Sequence, residues 1–171
     1  MTNPRDCAPL LIGSACLDAL VETARAAPRR RMNLNFHAEA AHPAQRLLNA
    51  VEPDSYIRPH RHSDPHRDET FIVLRGAFGL VIFDDAGAVS KATILCAGGD
   101  LIGAHVPGGT YHALVSLEPG SIFFEAKAGP YEPMTDKEFA SWAPPEGHPG
   151  VPAFLETLRA LFIGAPSRTP G

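Results

Sequence analysis

The sequence predicts an all-β domain, a sandwich or barrel, with one helix at each end. Three observations lead there. From Arg46 to Thr135, short apolar or alternating runs follow one another, parted by turn signals such as Glu52-Pro53-Asp54-Ser55, Asp85-Ala86-Gly87 and Glu118-Pro119-Gly120. No helical pattern of useful length interrupts that region, so a parallel βαβ arrangement is not expected. Helical spacing is confined to one segment before it and one after it, and the 17 prolines and 15 glycines suit many short elements joined by turns.

Taken in order, "ACLDALVETARAAPRRR" places Leu17, Leu20, Val21 and Ala24 at helical spacing, and Pro28 ends the pattern. The basic run Arg29-Arg30-Arg31 would then complement the C-terminal end of that helix. "MNLNFHAEAAHPA" has no clear periodicity. Strands are expected at "RLLNAV", "YIRPHRH", "ETFIVLRG", "FGLVIFD", "ATILCAGG", "LIGAHVPGG", "YHALVSL" and "SIFFEAKAG". "PYEPMTDKEFASWAPPEG" is expected to wrap the surface. In "VPAFLETLRALFIG", Val151, Leu155, Leu158 and Phe162 form a helical stripe with Gly164 as its stop, and a structureless "APSRTPG" ends the chain. The division is a helical segment 1–31, a β-barrel 32–135 and a wrap with helix 136–171, together one domain.

Composition narrows the function. Fifteen Lys+Arg against 19 Asp+Glu give a formal charge of -4, which offers nothing to nucleic acid. Three scattered cysteines, Cys7, Cys16 and Cys96, make no disulfide framework and suit a reducing compartment. No charged-then-apolar leader begins the chain, and no apolar run approaches the roughly 20 residues that span a bilayer. A soluble, cytoplasmic protein without membrane partners is the expectation.

The chemistry concentrates in "RPHRHSDPHRDETFIVLRG". On an extended segment, residues two apart share a side, so Tyr56, Arg58, His60 and His62 would face one way. Two imidazoles so placed can grip one metal ion. Glu69, opening the next strand, could add a carboxylate, and His112 after the glycine turn of "PGGTYH" a third imidazole. His66 is the substitute for Glu69. Three imidazoles and a carboxylate suit one divalent transition metal, Fe, Zn, Ni or Mn, with cobalt also compatible. Arg58 on the same side would bind a carboxylate or phosphate, and Tyr56 would donate a hydrogen bond or a proton. Arg75 shares Glu69's side by period two, with a surface role at a turn equally open. In "IFFEAKAG", Phe123, Glu125 and Lys127 share a face. Glu125 and Lys127 are either a solvated outer pair or an acid, base or anchor inside the barrel. His105 is expected to be a hydrogen-bonded structural residue.

His60-x-His62, Glu69 and Gly76 resemble the first cupin motif, and Pro107-x-Gly109-x-x-His112 the second. Two departures stand out: the gap from His62 to Glu69 is long, and Ser116 takes the place of a frequent asparagine. "QRLLNAVEPDSYIRPHRH", "PGGTYHALVSLEPGSIFFEAKAGPYEP" and "DKEFASWAPPEG" further resemble the WbuC family of cupin-fold metalloproteins, from about Arg31 to Gly147. That resemblance implies a double-stranded β-helix, or jelly-roll barrel, with the metal held by His60, His62, Glu69 and His112. It also draws attention to Asn33 and Asn35, which alternate with Met32 and Leu34, as substrate-binding residues near the barrel mouth. It implies a link to surface-polysaccharide biosynthesis. The expected function is a metal-dependent isomerase or epimerase on a small anionic or sugar-like substrate, with Tyr56, Glu125 and Lys127 moving protons and Arg58, Arg75, Asn33 and Asn35 binding substrate. The alternatives are an Fe(II)-dependent dioxygenase and a non-catalytic binding module. A homodimer through sheet edges or helices is compatible with the pattern.

Overall fold

The computed structural model describes residues 9–133 and 138–164. The final "APSRTPG", Cys7 and the expected domain boundary at Thr135 lie outside the described residues. The elements in chain order are α1 (Ser14–Ala26), β1 (Arg31–Asn35), β2 (Ala44–Val51), β3 (Glu69–Arg75), β4 (Ala77–Phe83), β5 (Val89–Cys96), β6 (Gly103–Val106), β7 (Tyr111–Ser116), β8 (Ser121–Ala128) and α2 (Val151–Ala160). The strands form two antiparallel sheets, one in the order β1-β2-β8-β3-β6 and one in the order β5-β4-β7.

Period-two alternation decides what each face of the larger sheet meets. Leu48 and Ala50 of β2 and Ile122 of β8 point outward and pack against Leu20, Val21 and Ala24 of α1. Their neighbours point inward, where Val51, Phe71, Val73 and Phe123 meet Phe78, Leu80 and Leu114 of the smaller sheet. Covering both faces explains why "SIFF" reads as continuously apolar. Leu48 and Ile122 are fully buried, each contributing about 1.5–3 kcal/mol of transfer free energy. On the far side of the smaller sheet, Leu155, Leu158 and Phe162 pack against Val81, Phe83, Tyr111 and Val115. Gly79 permits that approach, because a Cβ there would lie 2.2 Å from the Phe162 ring.

Three expectations change. "YIRPHRH" forms no strand; it contributes only bridges from His60 to His112 on one side and Phe139 on the other. Pro59 has no N–H for a ladder, although its carbonyl accepts from Ala140 N–H at 2.9 Å, and Arg61 N–H donates to Glu138 O at 2.9 Å. The eighth strand is instead β1, in the stretch without visible periodicity. The arginine run does not end α1, which stops at Ala26. Arg29 pairs with Glu146, Arg30 adopts φ 55 and pairs with Asp54, and Arg31 opens β1. Among the described residues, no helix is long and apolar enough to cross a membrane.

Candidate metal centre and cavity

Glu69 sits at the start of β3, where register sets it opposite Lys127 of β8. His112 begins β7, and the His60–His112 bridge brings the 58–62 segment against it, with N···O distances of 3.1 and 2.9 Å. The long loop from His62 to Glu69 is stapled down rather than loose. Asp64 Oδ1 accepts from His66 N–H, Asp68 Oδ1 accepts from Gly108 N–H at 2.9 Å, and Arg67 reaches Glu132 at 2.6 Å. Gly108 is required there, since a Cβ would lie 2.5 Å from the Asp64 carbonyl oxygen. The loop therefore delivers Glu69 to the site and leaves His66 exposed on its outer side.

His60, Glu69 and His112 place one ligand atom each within 4.8 Å of one another. His62 lies outside that triplet, yet its Nε2 is 2.9 Å from Glu69 Oε1, and His112 Nε2 is 3.0 Å from Oε2. His60 Nδ1 lies 2.9 Å from Arg58 O, and His112 Nδ1 lies 2.9 Å from Thr110 O. A carbonyl only accepts, so each Nδ1 carries the proton and a neutral ring keeps its Nε2 lone pair free. On His112 that lone pair meets a carboxylate oxygen, an arrangement that needs a cation between the two, either a proton or a metal ion. Backbone carbonyls fixing the Nδ1–H tautomer are the usual support for an Nε2 ligand. Burial, then the neighbouring His112, pushes the His60 imidazole down to about 3, so it stays neutral and ligand-ready. These residues could hold a metal ion.

Two inward residues of β8 extend the site. Lys127 Nζ lies 2.8 Å from Glu69 Oε1 and 2.6 Å from Glu125 Oε1, and Asn49 Nδ2 donates to Glu125 Oε2 at 2.9 Å. Burial alone would raise the Glu69 carboxyl, but its close contacts with His112 and His62 and the charge of Lys127 outweigh it and hold the group well below its ordinary value. Burial raises the Glu125 carboxyl, opposed by Lys127 and reinforced by Glu69. Burial would lower the Lys127 ammonium, but the two carboxylates prevail and raise it.

Glu69, Glu125, Lys127, His60 and His112 line a cavity of about 590 Å³ between the sheets. Asn33, Asn35 and Asn49 add amide groups to its wall, and Leu47, Phe71 and Leu114 an apolar side. Other predicted residues lie elsewhere. Tyr56 is buried under α2, its hydroxyl donating to Pro144 O at 2.9 Å and its ring edge-on to Phe154. Burial raises its hydroxyl above the ordinary value. Arg58 turns to Ala140 O at 2.8 Å and over the Phe139 ring. Both follow from the missing strand: without it, residues 56, 58, 60 and 62 have no common face. Arg75 pairs with Asp18 of α1 at 2.7 Å. A bulge between Val73 and Arg75 sets Arg75 opposite outward-facing Ile122 and so moves it off Glu69's face. His105 contacts Thr70 Oγ1 at 3.1 Å on the surface.

Asn49 was missed by sequence reasoning, although alternation with Leu47 and Val51 on an inward face was a readable signal. Glu138, whose Oε1 is 3.8 Å from His62 Nδ1, had none, because only the returning chain brings it near.

Residues 12–95 match a family model described as a domain of unknown function (DUF6016). None of the curated proteins matches the chain. Among solved structures, an oxalate oxidase superposes with a TM-score of 0.50 at 15% identity, covering 82% of this chain and 76% of that one. KdgF from Halomonas sp. superposes at 0.48 and 20% identity, covering 62% and 84%. A cupin-2 domain containing protein from Shewanella frigidimarina gives 0.43 and 21%, covering 57% and 80%. At these identities the likeness is one of fold alone, a sandwich of two antiparallel sheets.

Proposed function

We propose that this chain is a metal-dependent cupin enzyme that binds one divalent transition ion through His60, Glu69 and His112, with His62 as the fourth donor, and acts on a small anionic or sugar-like substrate. The observation that carries the reading is the pair of imidazoles whose Nδ1 atoms face carbonyl oxygens while a buried carboxylate lies within 3.0 Å of His112 Nε2. Three nitrogens and an oxygen suit Fe, Zn, Ni or Mn. The bound ion would supply Lewis-acid polarisation of a substrate oxygen.

The chain's own groups would do the rest. Lys127 holds the Glu69 and Glu125 carboxylates in place at 2.8 and 2.6 Å. Glu125, with its raised carboxyl and its second oxygen oriented by Asn49, is suited to take a proton from substrate carbon or oxygen and return it, the step that isomerisation and epimerisation share. Asn33 and Asn35 offer amides to substrate hydroxyls. The apolar side of the cavity excludes water from the transfer. The resemblance to the WbuC family supports a role in surface-polysaccharide biosynthesis.

The test is elemental analysis of tag-free protein beside His62→Ala and His112→Ala variants. The expected result is near-stoichiometric transition metal in the parent, lost in His112→Ala and reduced in His62→Ala while the β-sheet circular dichroism is retained. A parent without metal that takes up no added divalent ion overturns the reading. Iron with substrate-dependent oxygen uptake would turn it to the dioxygenase; zinc, nickel or manganese directs assays to isomerisation.

A further inference from the structure

The cavity does not end at the asparagines. Arg29 and Arg31 also line it, and both border a second hollow of about 430 Å³ that shares Asn33 and Asn49 with the first. The two guanidinium groups converge on one carboxylate. Arg29 Nε and Nη2 lie 2.7 and 2.8 Å from the two oxygens of Glu146, and Arg31 Nη2 lies 3.0 Å from Oε2. Arg31 is pre-positioned, donating to Tyr56 O at 2.9 Å and to Ser55 Oγ at 3.3 Å. The Glu146 side chain, by contrast, is 42% exposed and the Arg29 side chain 62%. Ion pairs so exposed are weak, so a stronger anion can displace that carboxylate.

Register gives the separation of this arginine pair from the metal end. Glu69 is opposite Lys127, Lys127 opposite Gln45, and Arg31 opposite Val51. Three strand spacings of about 4.8 Å and six residues at about 3.3 Å amount to roughly 14 Å across the sheet and roughly 20 Å along it. Between the two ends run Lys127, Glu125, Asn49 and Asn33, a polar diagonal on the inner face bordered by Leu47, Phe71 and Phe123. A single sugar ring would reach only one end.

Resting on the function proposed above, the geometry points to an elongated ligand: a sugar at the Glu69–Glu125 end, carrying a phosphate or carboxylate that takes the place of Glu146 between Arg29 and Arg31. Planar guanidinium groups arranged to meet two oxygens of one anion suit either source, a nucleoside diphosphate or a uronate chain. Glu146 is then a built-in competitor that keeps the subsite filled until such an anion arrives.

The test is titration calorimetry on the metal-loaded protein with UDP-glucose, trigalacturonate and neutral maltotriose, using the parent, Arg29→Gln and Glu146→Gln. One of the two anionic probes is expected to bind at least tenfold more tightly than maltotriose. Arg29→Gln should weaken that probe about tenfold and leave maltotriose within twofold, while Glu146→Gln should tighten the anion at least threefold. Whichever anionic probe responds names the source. Binding by neither anion, or equal affinity in all three proteins, overturns the inference. Metal content measured on the same samples separates the outcomes: metal present without anion discrimination removes this inference alone, and a metal-free parent removes the reading beneath it.

Discussion

Replacing Lys127 by methionine tests the electrostatics of the site directly. Lys127 is the cation between two buried carboxylates, with side-chain exposures of 20% for the lysine, 3% for Glu69 and 10% for Glu125. Methionine fills much of the same volume but leaves both carboxylates without it. Breaking a buried ion pair by removing one partner costs about 3–5 kcal/mol, which for a chain of this size lowers Tm by roughly 6–20 °C. The deficit should depend on pH. The Glu125 carboxyl is already raised in the folded protein, and loss of the ammonium raises it further. A group raised on folding stabilises the protein below its unfolded value of about 4.3 and loses that contribution as pH rises through the folded value. Urea denaturation of chelator-treated parent and Lys127→Met should therefore show the larger gap at pH 8 and a smaller one at pH 5. A gap below about 1 kcal/mol at pH 8, or one independent of pH, would refute the account of Lys127 as the charge that holds this site together.

The remaining predictions concern single contacts. Tyr56→Phe removes the hydrogen bond to Pro144 O and should cost about 1 kcal/mol while metal content stays unchanged; a loss of metal would return Tyr56 to the site. Gly79→Ala pushes a methyl into the Phe162 ring and should destabilise by about 1–3 kcal/mol, with faster proteolysis of the α2 segment as the readout. Gly108→Ala meets backbone rather than a movable side chain, so the 63–68 loop must shift; metal affinity by competition with a chelator should fall at least tenfold. Leu48→Ala, at a fully buried position beneath α1, should lose about 2–5 kcal/mol without altering the metal stoichiometry.

Much of the site was legible because strand alternation survives folding. Phe123, Glu125 and Lys127 share a face in the sequence and share the cavity in the protein. His60 and His112 were readable by residue type and spacing, and the glycine turn before His112 by composition. Tyr56 and Arg58 share a face with His60 and His62 only if residues 56–62 form a strand, and Pro59 with the preceding turn prevents one. Arg75 was displaced by a bulge, which period-two counting does not reveal. Arg29 and Arg31 looked like helix-end charges because their partner, Glu146, lies more than a hundred residues away in the chain.

By itself, the sequence determined the β architecture, the apolar faces of the two helices and the donor types available to a metal, since these depend on local periodicity and side-chain chemistry. The tertiary structure alone decided which donors meet. Glu69 reaches His112 only because β3 and β7 belong to facing sheets and the 63–68 loop is held over Gly108. The Glu125–Lys127 pair lies inside rather than in solvent because α1 covers the other face of β8. Both results depend on contacts between distant residues, and no local pattern encodes those.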